Sequence, residues 1–430
     1  MVALLPQLLG RPLNIVSSYL GLMISDGGFI GLYAVLGAIA VAQLGASLWA
    51  IAPLMQIRLL RWTVALAVAL HPWWPAGDIL RFQPAQMSVL FFVIWLGMAV
   101  RFMASGRAAW APLLFLVPLM GLLTYQALAA ALLLGAVLVA LTTSTHLRRG
   151  VALVLLAVGS SVSTLIWSVV LAPRLSTNSY ESHFVSAPVD VLASIRSIAR
   201  TIVLHAPLTL IAMLVVATVV TTLGFTHRLT PARAWLLLGG VAVAPLAALA
   251  YAAEPLHLND PERVALPTGA VVWIVLCCTL PALDKGRATR LAATSTILVG
   301  TLACTLVGYQ TWSNYSIDQE QLIHAVQSVR STLPDNARII VADNTGKYGD
   351  VYTLLPPHLK IALDAVYGPG ADAELCTPSG VSRDHPTADL FPIATTRDCD
   401  DLLVGKDAKY LGAIETDEGP LELFRLDPAG

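Results

Sequence analysis

The chain has 430 residues, 56% of them hydrophobic and 12% charged, with a formal net charge of −1 and a mean hydropathy of +0.72. A soluble domain carries roughly 25% charged residues, so composition excludes an ordinary soluble enzyme and points to a chain lying mostly in lipid. No basic stripe marks a nucleic-acid surface, and no nucleic-acid partner is expected.

Residues 1–27 are apolar but interrupted by Pro6, Gly10, Arg11, Pro12 and Asp26, a pattern for a helix on the membrane surface rather than across it. They lack the basic start and long apolar core of a cleavable signal peptide. About ten apolar runs, long enough to span or nearly so, follow between residues 28 and 312. The fold class expected is a polytopic α-helical membrane protein of about ten transmembrane helices with a small α/β extracytoplasmic C-terminal domain. Its divisions are an interfacial segment 1–27, a transmembrane domain 28–312 and an α/β domain 313–430.

Basic residues orient the runs. Arg58 and Arg61, Arg101 and Arg107, Arg148 and Arg149, Arg228 and Arg233, and Lys285, Arg287 and Arg290 fall in every second connection. The positive-inside rule places those connections in the cytoplasm. Asp78, Glu181, Asp190, Glu254, Asp260 and Glu262 fall in the others. The N-terminus and the C-terminal domain are thus both expected outside.

The stretch His71–Gln86, HPWWPAGDILRFQPAQ, breaks the apolar pattern with prolines, tryptophans and two charges. It reads as a loop at the membrane surface. Asp78 there can bind a metal or deprotonate a hydroxyl, and it equally suits an N-cap for the helix from Ile79. Trp73 and Trp74 read as interface anchors, and His71 as a satisfied interfacial histidine. Tyr125 and Gln126 turn a tight helical hairpin, where polar groups must find partners. In the loop 173–204, Glu181 and His183 suit a gate or a plain solvated surface, and an amphipathic helix is expected from Val189 to Ile202. Asp260, Glu262 and Arg263 precede a helix; the arginine suits a lipid phosphate or a pair with the glutamate.

Charged residues keep to the ends of the apolar runs. Ion-coupled transport usually needs ionisable groups at membrane depth, so work at the outer surface is favoured. No Walker A, GxGxxG, HExxH, CxxC or GxSxG motif occurs, and no ATPase is expected.

The polar tail begins with an amphipathic helix, Leu322, Ile323, Val326 and Val329 sharing one face, ending near Pro334. ARIIVAD (337–343) reads as a buried strand and HLKIALDAVYG as a short helix closed by Gly368. AKYLGAIETDEGPLELFRLD reads as a hairpin turning at Asp417–Gly419. Cys277, Cys278 and Cys304 lie in apolar runs as small core residues. Cys376 and Cys399 can pair if the tail lies outside the cytoplasm.

In layout the chain resembles the GT-C fold glycosyltransferases that use a polyprenyl-phosphate sugar, the GtrII-type family in particular. The resemblance rests on GRPL (Gly10–Leu13) before a surface helix, a Pro-bearing outer loop with Asp78, TYQA (Thr124–Ala127) at a hairpin, and PERVALP in a late outer loop. It covers most of residues 8–312. It implies sugar transfer at the outer face of a bacterial inner (plasma) membrane, from a polyprenyl-phosphate donor to a cell-envelope glycan or lipid acceptor. Asp78 would be the catalytic base, with Arg81 or Arg263 on the phosphate. Tyr125, Gln126, His71 and Glu181 would be further substrate contacts, and a divalent metal ion the cofactor. The family opens with a helix and an acidic outer loop ahead of its GRPL-like segment. This chain begins almost at GRPL, as expected of an N-terminally shortened product or of a relative without catalysis. The alternatives are a non-catalytic membrane subunit or scaffold with a partner- or glycan-binding outer domain, and a translocator of lipid-linked sugar.

Overall fold

The computed structural model describes residues 11–24, 29–71, 73–74, 83–143, 147–175, 190–252, 257–258, 260–283, 287–330, 332–333, 338–345, 359–360, 363, 372–379, 381, 397–403, 408–416 and 419–426. The chain divides into two compact units, Met1–Gly308 and Tyr309–Gly430.

The first unit is helical: α1 (Asn14–Ile24), α2 (Phe29–Ile51), α3 (Arg58–Leu70), α4 (Gln83–Ser105), α5 (Ala111–Thr124), α6 (Ala129–Thr143), α7 (Leu147–Ile166), α8 (Ala172–Leu175), α9 (Val191–His205), α10 (Pro207–Phe225), α11 (Pro231–Val243), α12 (Pro261–Leu283) and the start of α13 (Arg287–Arg330). Among the described residues, seven helical segments are long and apolar enough to cross a membrane, and Ala108–Thr124 and Gln126–Thr142 are shorter apolar helices. The chain is a membrane protein on this showing. Exposed faces are apolar: on α7, Val151, Leu155, Val158, Val162 and Leu165 follow three- and four-residue spacing and all face outward, the pattern lipid requires.

One helix differs from the rest. The apolar window of α12 is 94% buried, against 22% for α10. It is flanked by α6, α9, α10 and α11 and by the 3-10 segment Ala244–Tyr251. Close approach requires a glycine here: a Cβ on Gly269 would sit 1.9 Å from the Trp73 ring.

Connections meet in two separate sets. In one set, Leu13 N donates to Leu123 O (3.3 Å), Thr209 Oγ1 to Trp73 O (3.0 Å) and Thr201 Oγ1 to Leu258 O (2.7 Å), while Gln126 donates to Ser168. In the other, Arg101 donates to Trp49 O (2.7 Å), Arg149 to Met103 O (2.9 Å) and Arg233 to Cys278 O (3.1 Å). Arg101 and Arg149 thus reach terminal carbonyls of neighbouring helices, and Arg233 reaches a carbonyl in the last turns of α12. Arg101 lies within α4, one turn from its end, with its guanidinium 3.9 Å over the Trp49 ring.

The second unit is built on a five-stranded sheet in the order β3-β2-β1-β5-β4, from β1 (Arg338–Asp343), β2 (Asp372–Thr377), β3 (Arg397–Asp398), β4 (Ala408–Thr416) and β5 (Gly419–Leu426). β1 runs parallel to β2, and β2 to β3; β5 pairs antiparallel with β1 and β4. Central β1 is apolar on both faces, as a strand covered twice must be. Ile339 and Val341 pack with Leu322 and Val326 of α13, whereas Ile340 and Ala342 pack with Cys376, Cys399 and Leu402 of α14 (Cys399–Leu403). Cys376 and Cys399 form a disulfide. The hairpin β4–β5 carries a bulge at Gly412, whose φ of 142° suits glycine.

Two expectations are corrected. The last apolar run and the tail's first helix are one uninterrupted helix, α13, because the polar stretch between them holds no proline or glycine to stop it. Strand β2, DAELCT, was not anticipated, its two acids masking a strand that buries Ala373, Leu375 and Cys376. Of HLKIALDAVYG only Leu359, Lys360 and Leu363 are described, all helical. The turn at Asp417 lies outside the described residues.

Candidate functional site

Three stretches far apart in sequence meet at one end of the first unit. The turn before α1 begins with Arg11, whose carbonyl accepts from Asn14 N (2.9 Å). The Asn14 side chain in turn donates to Thr124 O (3.1 Å) at the end of α5. These bonds bring Arg11 beside Tyr125, its guanidinium carbon 5.7 Å from the ring centre. Tyr125 is extended (φ −155°, ψ 111°) between α5 and the 3-10 turn Gln126–Leu128, and its carbonyl accepts from Ser88 Oγ (3.1 Å). Its phenol is hydrogen-bonded to the Tyr251 phenol at 2.7 Å. Tyr251 stands edge-on to His257 (5.9 Å) and lies 6.0 Å from the guanidinium of Arg263.

Asp260 holds the far side of this group. Fully buried, it caps α12: Oδ1 accepts from Glu262 N (3.0 Å) and Arg263 N (3.3 Å). Its Oδ2 lies 3.1 Å from Arg263 Nε. One carboxylate thus ends the helix and aims the guanidinium. Arg263 pairs with this aspartate; the sequence left open a lipid phosphate, the membrane surface or Glu262 as its partner. Among the described residues, two guanidinium groups and two phenols thus lie about one buried carboxylate, and their N–H and O–H donors suit an anion bearing several oxygens.

His71 belongs to a different cluster. Its Nε2 lies 2.9 Å from both Gln43 Oε1 and Gln86 Oε1, and Gln43 donates to the carbonyl and the side-chain oxygen of Gln86 (2.7 Å each). Two oxygens facing one ring nitrogen require that nitrogen to carry the proton. His71 caps α3 in the left-handed region (φ 42°) and lies outside the seven long apolar helices. Burial lowers its pKa to about 4, so the ring is neutral. Trp73 and Trp74 stand edge-on to it, and both are buried in protein.

Asp78, Arg81, Glu181 and His183 lie outside the described residues, as does Glu254. Among the described residues no group of three or more His, Cys, Asp or Glu could hold a metal ion. The structure therefore brings together Arg263 and Tyr125 of the expected site residues. Gln126 lies next in sequence and donates to Ser168. Arg11, Tyr251 and Asp260 were not expected as members of one site. The signal available for Arg11 was its place in GRPL, and for Asp260 its place just before PERVALP at the start of a helix; Tyr251, at the end of an apolar run, carried none. An apolar groove of about 600 Å³ lies elsewhere in the unit, lined by Trp73, Ile211, Val215, Trp273, Ile297 and Cys304 among others.

No protein-family model matches the chain, and no curated protein or solved structure matches it.

Proposed function

We propose that the chain is an integral membrane glycosyltransferase, moving a sugar from a polyprenyl-phosphate donor to a cell-envelope glycan or lipid at the outer face of a bacterial plasma membrane. The observation that carries this reading is a cluster in which Arg11, Tyr125 and Arg263, one each from GRPL, TYQA and PERVALP, meet around Tyr251. The donor's phosphate sits against the two guanidinium groups, which neutralise the charge that grows on it as the sugar departs. The phenols orient the same oxygens. Asp78 is the base that takes the acceptor's proton, which leaves the hydroxyl oxygen to attack the anomeric carbon in line. The topology proposed has about ten crossing segments, with the N-terminus and the second unit outside. The two separate sets of connections support alternating spans, and the arginine distribution supports the sidedness.

The test is transfer of labelled sugar from a polyprenyl phosphate by the protein in liposomes. Arg263→Gln should lower the rate by about 100-fold, the scale of losing one charge-stabilising donor. Asp78→Asn should abolish transfer while the protein stays folded in the membrane. Full activity in both variants would sink the proposal. The apolar groove favours a second reading, a translocator of lipid-linked sugar; flipping of the labelled donor without transfer would select it.

A further inference from the structure

Helix α9 has three distinct faces. Ser194, Ile198, Thr201 and Ile202 are buried, the two isoleucines packing with Ala248, Leu258 and Val264. A second face, following three- and four-residue spacing, carries Leu192 (59% exposed), Ile195 (36%), Ala199 and Val203 (61%). Arg196 and Arg200, one turn apart and both exposed, border that stripe. Neither guanidinium makes an ion pair or hydrogen bond among the described residues. An exposed apolar stripe beside basic side chains is unfavourable in water and stable in the boundary layer of a bilayer. There the stripe enters the acyl region and the bases meet headgroups.

The geometry points to α9 as a membrane-surface helix that binds anionic phospholipid, Leu192, Ile195 and Val203 among the acyl chains and Arg196 and Arg200 on the headgroup phosphates. The occupant follows from charge: two unpaired arginines beside an apolar face complement an anionic lipid, and each basic residue near such a surface strengthens its attachment. The bond from Thr201 Oγ1 to Leu258 O (2.7 Å) and the packing of Ile198 and Ile202 fix the helix against the bundle. Its roll is therefore set by the fold before lipid arrives. This inference requires only that the chain is a membrane protein and is independent of sugar transfer.

The test uses the full chain in nanodiscs, with a fluorophore on Val203→Cys in a Cys304→Ser background; the remaining free thiols, Cys277 and Cys278, are buried. Brominated acyl chains should quench the label more than aqueous iodide does, and the excess should grow when phosphatidylglycerol replaces part of the phosphatidylcholine. Arg196→Gln/Arg200→Gln should lose that growth. These exposed side chains make no ion pair or hydrogen bond among the described residues, so the variant should keep the parent's thermal midpoint in phosphatidylcholine. Dominant iodide quenching would place α9 in water and overturn the inference. Protection from both quenchers would mean that protein covers the stripe, and would overturn it too. Growth undiminished in the double variant would remove the arginines from lipid binding. Inorganic phosphate that reproduces the effect of phosphatidylglycerol would assign the arginines to a free anion instead.

Discussion

At the scale of single residues, His71 is the side chain whose protonation bears on folding. The unfolded chain binds its proton near pH 6.5, the folded chain only near pH 4. Above pH 6.5 both forms are neutral and the full stability is present. As pH falls toward 4 the unfolded chain takes up a proton that the folded chain refuses, and stability on the order of 3 kcal/mol is lost across that window. The thermal midpoint of the protein should fall more steeply between pH 6.5 and 4 than that of His71→Gln; equal slopes would rule out this source. The sequence carried part of this. A histidine at the end of an apolar run was legible as one needing a partner, but Gln43 and Gln86 were not legible as its partners. The same limit hid Tyr251. Its bond to Tyr125 joins positions 126 residues apart, and nothing local to either tyrosine specifies the other.

At the scale of elements, glycine contacts separate helix faces packed in protein from faces turned outward. Gly269→Ala in α12 would drive a methyl into the Trp73 ring, which is itself wedged beside His71. A loss of about 1–3 kcal/mol, the range for overpacking a filled core, is expected as a lower thermal midpoint. Gly239→Ala in α11 meets nothing within 4 Å and should not lower it. Elements whose signal is periodic were legible. The helix expected over 189–202 is α9, displaced by a few residues to the position after its Asp190 cap, and the tail's hairpin is β4–β5. α13 was misread as two elements because hydropathy changes sharply near Asn314, whereas the backbone needs a breaker to end a helix.

For the molecule as a whole, the two units should respond separately to reduction. The disulfide closes a segment with a separation of 23 residues, worth about 3 kcal/mol by loop entropy. Reductant should therefore lower the melting midpoint of the second unit and leave that of the first unchanged, as followed by calorimetry. A joint shift of both transitions would contradict this. Membrane character was the most legible property, since it depends on composition summed over hundreds of residues. The central position of α12 was not: its sequence is as apolar as its neighbours', and only packing shows which helix is enclosed.

That enclosure sets an order on biogenesis. α12 is synthesised near the end of the first unit, yet α6, α10 and α11 all rest on it. A helix such as α6 enters the bilayer long before its partner exists and must wait there with its future contact face against lipid. Its uniformly apolar sequence, AAALLLGAVLVALTT, permits that wait. A nascent chain stopped before residue 261 would hold inserted helices without the one they surround, and membrane quality control would meet it as an unassembled intermediate.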